Sequence, residues 1–414
     1  MRTSRPVSRS AKRIPRRTFG AMSIAASALS VLLAFALAPH FLRAAQPQAT
    51  IAAGYLVFVG TYTSTGSKPT GSKGIYVYRF DAATGETRPL GLAAESDQPS
   101  FLAVDPSQKF LYAVNETDTY QGKPSGGVSA FSIDHTTAKL TFLNEVPSRG
   151  GSPAHVAVDR TGKYVAVSNY DGGSLAIFPI LEDGKLGDDT FFVQHEGSSV
   201  NKKRQASPHV HEAIFSPDNR FLLSTDLGLD ELFVYPFDAQ HGTLGAPRVI
   251  SLSPGSGPRH IAFSPGGKFV FLVSEMGSTI TVLPYDPANG NLAPRQTVRL
   301  APSTDRPPEK AGAEIAVSPS GRFVYASNRF DNLIGVFSTD SDSGMLAPVE
   351  TVPLDGKTPR NFAIDPTGTW LWDANQDSDN IVMYRLDQQR GRLQPSGLML
   401  KIPAPTCVLF VPAP

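Results

Sequence analysis

The chain has 414 residues, a formal charge of +1 and a single cysteine, Cys407. One cysteine excludes an internal disulfide frame, so stability must come from a packed core. The first 50 residues carry eight Lys or Arg and no acid; without them the basic count falls from 38 to 30 against 37 acids and the charge becomes about −7. That balance argues against a nucleic-acid partner, which needs a basic surface.

The N-terminus has its own grammar. A basic stretch ending in Arg16-Arg17-Thr18-Phe19 precedes the uncharged segment Gly20 to Leu37, rich in Ala and Leu. This layout predicts a signal peptide over residues 1–45, and the paired arginines before Phe resemble a twin-arginine signal. Ala36 and Ala38, or Ala44 and Ala45, offer cleavage sites. The alternative is a retained anchor, since eighteen apolar residues nearly suffice to span a bilayer. The mature protein is expected to be periplasmic or secreted, touching a membrane only through an uncleaved leader.

From residue 52 to 414 one pattern recurs seven times: an apolar strand, a turn around Pro-x-Gly-Lys, and a second apolar strand. The first strand reads Phe101-Leu-Ala-Val-Asp-Pro106, His155-Val-Ala-Val-Asp-Arg160, Glu212-Ala-Ile-Phe-Ser-Pro217 and His260-Ile-Ala-Phe-Ser-Pro265. It continues as Glu314-Ile-Ala-Val-Ser-Pro319, Asn361-Phe-Ala-Ile-Asp-Pro366 and Cys407-Val-Leu-Phe-Val-Pro412. A third, alternating strand follows, as in Ser278-Thr-Ile-Thr-Val-Leu283, then a turn of the form Asp-x-x-x-Gly and a fourth strand. The copies are 46 to 57 residues apart, which predicts an all-β, seven-bladed β-propeller. Tyr55 to Gly60 lacks a first strand and the last copy lacks everything after it. Pairing the N- and C-terminal strands would close the ring without a free edge.

The start of a hairpin's first strand and the end of its second lie at the same end. In six blades these points are sixteen residues apart: 100 and 116, 154 and 170, 211 and 227, 259 and 275, 313 and 329, 360 and 376. Both points of each pair are expected at one mouth of the central channel. Small residues would suffice for structure there, but the sequence has His211, Arg259 and Arg360 at first points and Glu116, Glu275 and Arg329 at second points. Such a set suits an acid–base site for an anionic or ester-like substrate, because arginine forks bind carboxylates and His or Glu can move a proton. His155 and His260, one place further on, would support it. His209 and His211 invite a metal reading, but nothing at suitable spacing completes a ligand set, so no metal or other cofactor is expected. His195 and His241 lie in outer segments and are expected to be solvated. The Lys202-Lys203-Arg204 loop, on the face of His209, reads as a solvated basic loop that could also attract anions. The Tyr120 to Gly127 insertion could shade the mouth.

With these residues in hand, the chain resembles the lactonase family of seven-bladed propellers, which includes bacterial propeller-type 6-phosphogluconolactonases and the fungal carboxy-cis,cis-muconate lactonizing enzyme. The motifs that carry the resemblance are Val59-Gly-Thr-Tyr-Thr63, Ser152-Pro-Ala-His155, Pro208-His-Val-His211, Gly257-Pro-Arg-His260, Ser327-Asn-Arg329 and Thr358-Pro-Arg360. It implies a cofactor-independent enzyme acting on a small lactone or carboxylate. Its site would comprise His211, Arg259, Glu275 and Arg329; Glu116, His155, His209, His260 and Arg360, singled out above by their positions near the mouth, are expected to bind substrate. The expected reaction is lactone hydrolysis, with Glu275 as general base, His211 orienting the substrate or protonating the ring oxygen, and those two roles open to reversal. A lactonizing cycloisomerase and a non-catalytic binding or scaffold propeller are the alternatives. Export would separate the protein from a cytosolic phosphorylated lactone and favour an unphosphorylated one.

Overall fold

The computed structural model describes residues 54–301 and 311–413, and the expected leader lies outside them. Seven antiparallel sheets of four or five strands follow one another along the chain, and within six of them strand order matches chain order. One such blade runs Pro153–Val158, Tyr164–Asn169, Ser174–Pro179 and Phe191–Gln194. In the remaining sheet Pro405–Pro412 pairs with Gly54–Thr61, in a register running from Tyr55 opposite Pro412 to Gly60 opposite Cys407. The two chain ends therefore close the ring, as the half-copies predict. Cys407 is buried in that closing strand, where burial pushes its thiol up to about 12 and leaves it inert.

Each second strand has blades on both faces. Phe269–Ser274 and Phe221–Asp226 are buried along their whole length, which is why such strands read as unbroken apolar runs. The core is divided into seven clusters, each drawn from two neighbouring blades; Phe271 and Val273, for example, pack with Ile315 and Val324 of the next. Among the described residues each apolar cluster draws on two neighbouring blades and no more.

Side chains fasten the repeated turns. Asp159 accepts hydrogen bonds from the amides of Thr161, Lys163 and Tyr164 at 2.7–2.9 Å, and Asp105 and Asp365 do the same in their blades. At the outer turn Asp81 accepts from Ala83 and Thr84, while Gly85 has φ +83°. A side chain at Gly85 would also meet Trp370 of the preceding blade at 2.3 Å. The turn glycine thus seats one blade on the next, an inter-blade role beyond the hairpin closure its sequence motif suggests.

Candidate active site

The sixteen-residue pairs do meet. In each, the amide of the second residue donates to the carbonyl two places before the first: Glu116 to Gln98, Tyr170 to Ser152, Leu227 to His209, Glu275 to Gly257, Arg329 to Ala311 and Gln376 to Thr358, at 2.7–3.0 Å. The first strands carry a further feature that periodicity does not reveal. Their pairing slips by one residue between Pro153 and His155, Val210 and Glu212, Pro258 and His260, Gly312 and Ile315, and Pro359 and Asn361. These are β-bulges, and a bulge re-aims a residue that simple alternation would turn away. Both the rim residue and its successor therefore face the channel, and the polar groups form two tiers.

The upper tier is a charge cluster. Oε2 of Glu275 lies 2.7 Å from Arg329 and 3.3 Å from Nε of Arg259, and its Oε1 accepts from Arg204 at 2.7 Å. Arg259 is 2% exposed and also donates to the carbonyl of Ala313 at 2.7 Å. Burial, then Arg329 and Arg360, lowers its guanidinium to about 9, so it is still a cation at neutral pH. Burial opposes ionisation of Glu275, yet Arg329, Arg259 and Arg204 together hold it at about 2. Arg360 lies 3.6 Å from Glu116 and over the ring of Tyr62. Glu116 in turn accepts from the Tyr62 hydroxyl at 2.7 Å and from Ser100. Four guanidiniums thus share two carboxylates.

His211 stands beside this cluster. Burial, then Arg259 and His260, pushes its pKa well below the ordinary imidazole value, so the ring is neutral. Its Nδ1 has no hydrogen-bond partner among the described residues. Tyr170 packs edge-on against His211 and flat against His209, whose Nδ1 contacts the Tyr170 carbonyl at 3.0 Å.

The lower tier comprises the residues that follow the rim positions. His155 lies 3.4 Å from Glu212, His260 lies 3.1 Å from Glu314, and Asn361 donates to Glu314. The His260 ring is 5.0 Å from that of His211, 5.6 Å from His155 and 5.8 Å from Phe101, so the tier meets across the axis. Burial, then Glu314, raises the Glu212 carboxyl well above its usual range.

Three expectations change. Glu275 is clamped by three arginines that hold its carboxyl down at about 2, an environment that favours a structural anion over the general base expected of it. The Lys202-Lys203-Arg204 loop is not simply solvated, because Arg204 reaches across the mouth to Glu275 and to the Tyr170 hydroxyl at 2.9 Å. His195 is buried rather than solvated, bonded at 2.8 Å to both Asp226 and the Tyr235 hydroxyl, whereas His241 is exposed. Asp226 also accepts from the amide of His209, so this buried group braces the approach to the rim. Tyr62, Tyr170 and Arg204 were not among the expected site residues. Tyr170 occupies a ruled position and Tyr62 a family motif, so a signal existed for both. Nothing in the sequence marks Arg204 as a partner of Glu275. The Tyr120 to Gly127 insertion forms a short hairpin at the mouth end, matched by another at Ser64–Thr65 and Lys68–Pro69. A cavity of about 680 Å³ at the opposite end, lined by Phe110, Tyr164 and Leu181, holds none of these groups.

Comparison with known proteins agrees with this architecture. The family described as Lactonase, 7-bladed beta-propeller matches residues 56–410. A 6-phosphogluconolactonase of Bacillus subtilis is 36% identical over 86% of this chain and 98% of its own length. One from Formosa agariphila is 37% identical over 82% of this chain and 94% of its own. The solved structure of a periplasmic gluconolactonase from Pseudomonas aeruginosa superposes with a TM-score of 0.81 at 33% identity, covering 87% of this chain and all of that one.

Proposed function

The chain belongs to the seven-bladed propeller lactonases, and from that premise we propose that its arginine-lined mouth hydrolyses a sugar lactone outside the cytoplasm. As a lactone hydrolase it is a carboxylic-ester hydrolase. The observation that carries the finer reading is the clamp itself: Arg259 and Arg329, from adjacent blades, converge on one carboxylate beside the neutral imidazole of His211. Water attacking a lactone carbonyl places negative charge on the carbonyl oxygen, and fixed guanidiniums stabilise it without reorganising. Arg259 and Arg329 supply that charge. Glu275 holds the two forks in place rather than accepting the proton. His211 meets the lactone at the rim and hydrogen-bonds its ring oxygen. Arg360, Glu116 and Tyr62 bind the remainder of the sugar.

The excess of guanidinium over carboxylate favours a substrate that is anionic, or becomes so in the transition state. Export rests on the expected 1–45 leader and on the periplasmic relative, and it favours an unphosphorylated lactone. The test is turnover by purified mature protein of gluconolactone, 6-phosphogluconolactone and carboxymuconate, alongside Arg259→Ala. Lactone hydrolysis is expected, with kcat/KM falling about 10²- to 10³-fold in the variant. Full activity in Arg259→Ala would refute the site, and turnover of carboxymuconate alone would make the protein a cycloisomerase. Cell fractionation checks export, which a purely cytosolic protein would contradict.

A further inference from the structure

We propose that His260, oriented by Glu314, is the general base of the hydrolysis and draws its proton from a water seated in a small cavity between the two tiers. This rests on the lactone-hydrolase reading above.

The cavity is walled by Ser100, Phe101, Arg259, His260, Arg360 and Thr406, among others, and a water's centre can occupy about 10 Å³ of it, room for about one molecule. Among the described residues, three buried polar atoms of its lining lack a hydrogen-bond partner: Nε2 of His260, Nε of Arg259 and Oγ1 of Thr406. Their chemistry suits one water. Arg259 can only donate, but its Nε faces the Glu275 carboxylate at 3.3 Å, so the water's own partners are His260 and the Thr406 hydroxyl. His260 presents Nδ1 to both oxygens of Glu314, at 3.1 and 3.2 Å, so Nδ1 carries the hydrogen and Nε2 offers a lone pair. Glu314 is fixed in turn by Asn361 and by the amide of Ile315 at 2.9 Å. A carboxylate that sets the tautomer of an imidazole, whose far nitrogen accepts a proton, is the orienter–base arrangement of nucleophilic hydrolases, with water in place of serine. Glu275 is already committed to three arginines, and among the described residues no carboxylate pairs with His211.

The step balances. The water oxygen forms a bond to the lactone carbonyl carbon as one water proton moves to Nε2 of His260. The carbonyl oxygen takes the electron pair and is held by Arg259 and Arg329. Collapse of the adduct breaks the bond between the carbonyl carbon and the ring oxygen. The departing ring oxygen receives the proton from His260, and the new carboxylic acid loses its own to solvent.

Burial above all holds the His260 pKa below the ordinary imidazole value; of the charged groups around it Glu314 favours its protonated form while Arg259 and Arg360 oppose it, with His155 and His211 as neighbouring rings. Activity should therefore fall on the acid side as Nε2 becomes protonated. The test compares wild type, His260→Ala and Glu314→Gln on whichever lactone the wild type hydrolyses. His260→Ala should lower kcat about 10²-fold or more with KM little changed, and added imidazole should restore part of it. Glu314→Gln, which keeps the shape, should lower kcat about tenfold and move the acid limb of the pH profile to lower pH, because loss of the carboxylate makes His260 easier to deprotonate. Undiminished kcat in His260→Ala, absence of imidazole rescue, or an unmoved acid limb in Glu314→Gln would overturn the proposal. If His260→Ala does not fold, the acid limb of Glu314→Gln decides alone. A wild-type protein that hydrolyses no lactone would instead refute the function on which the proposal rests.

Discussion

Replacing Glu275 by glutamine preserves shape and removes the charge that neutralises Arg259 and Arg329. Arg204 is about half exposed and can turn to water, but Arg259, 2% exposed, cannot. The fall of the Glu275 carboxyl from 4.5 to about 2 is worth about 3 kcal/mol, at roughly 1.4 kcal/mol per pH unit. Breaking a buried ion pair from one side typically costs about 3–5 kcal/mol, so the two routes agree. Urea unfolding at pH 7 should therefore show Glu275→Gln less stable than wild type by about 3 kcal/mol with an unchanged slope. The folded-state pKa is depressed, so the stabilisation is complete above about 4.5 and is lost as pH falls toward 2. The gap between the two proteins should narrow steadily over that window. Equal stability at pH 7, or a gap unchanged between pH 6 and pH 3, refutes the clamp. A variant with wild-type stability and no activity would place Glu275 in proton transfer instead.

Two further outcomes follow from the ring. Gly85→Ala forces a side chain at φ +83° into Trp370 at 2.3 Å and should cost about 2–4 kcal/mol; a melting point equal to wild type would show that the blades seat some other way. Deleting residues 405–414 removes the strand that pairs with Gly54–Thr61 and exposes a sheet edge, so cooperative thermal unfolding should be lost; a retained sharp transition would contradict closure by the chain ends.

The fold was legible because each blade repeats the same burial problem. A second strand covered on both faces has to be apolar throughout, and a hairpin of fixed length keeps its two mouth residues sixteen apart. Both constraints are local, so they survive in the sequence. Arg204 and Glu275 are 71 residues apart and meet through a connection whose length sets no register, so the sequence shows a basic loop and not its partner. His195 misleads for a related reason. It follows a half-exposed outer strand, yet Asp226 and Tyr235 of the next blade reach out to enclose it. The three arginines that hold Glu275 ionised come from three different segments, so the electrostatics that weigh against its expected base role arise only on assembly.

The bulges explain why neighbours in sequence do different work. In a regular strand a functional residue is followed by one that points to the opposite face. Here the slip at the rim lets His211 and Glu212, Arg259 and His260, and Arg360 and Asn361 all face the axis, the first of each pair at the mouth and the second below it. The ring can thus keep permanent charge in the upper tier, where substrate arrives, and a proton acceptor in the lower, where Glu314 can hold an imidazole away from the arginines' partner carboxylate. A base placed among the arginines would be held ionised and weak, as Glu275 is. Separating the two functions by one residue of bulged strand resolves that conflict. It also assigns the effects of substitution: changes in the first residue of a pair should fall on substrate affinity and oxyanion stabilisation, and changes in the second on the pH dependence of turnover.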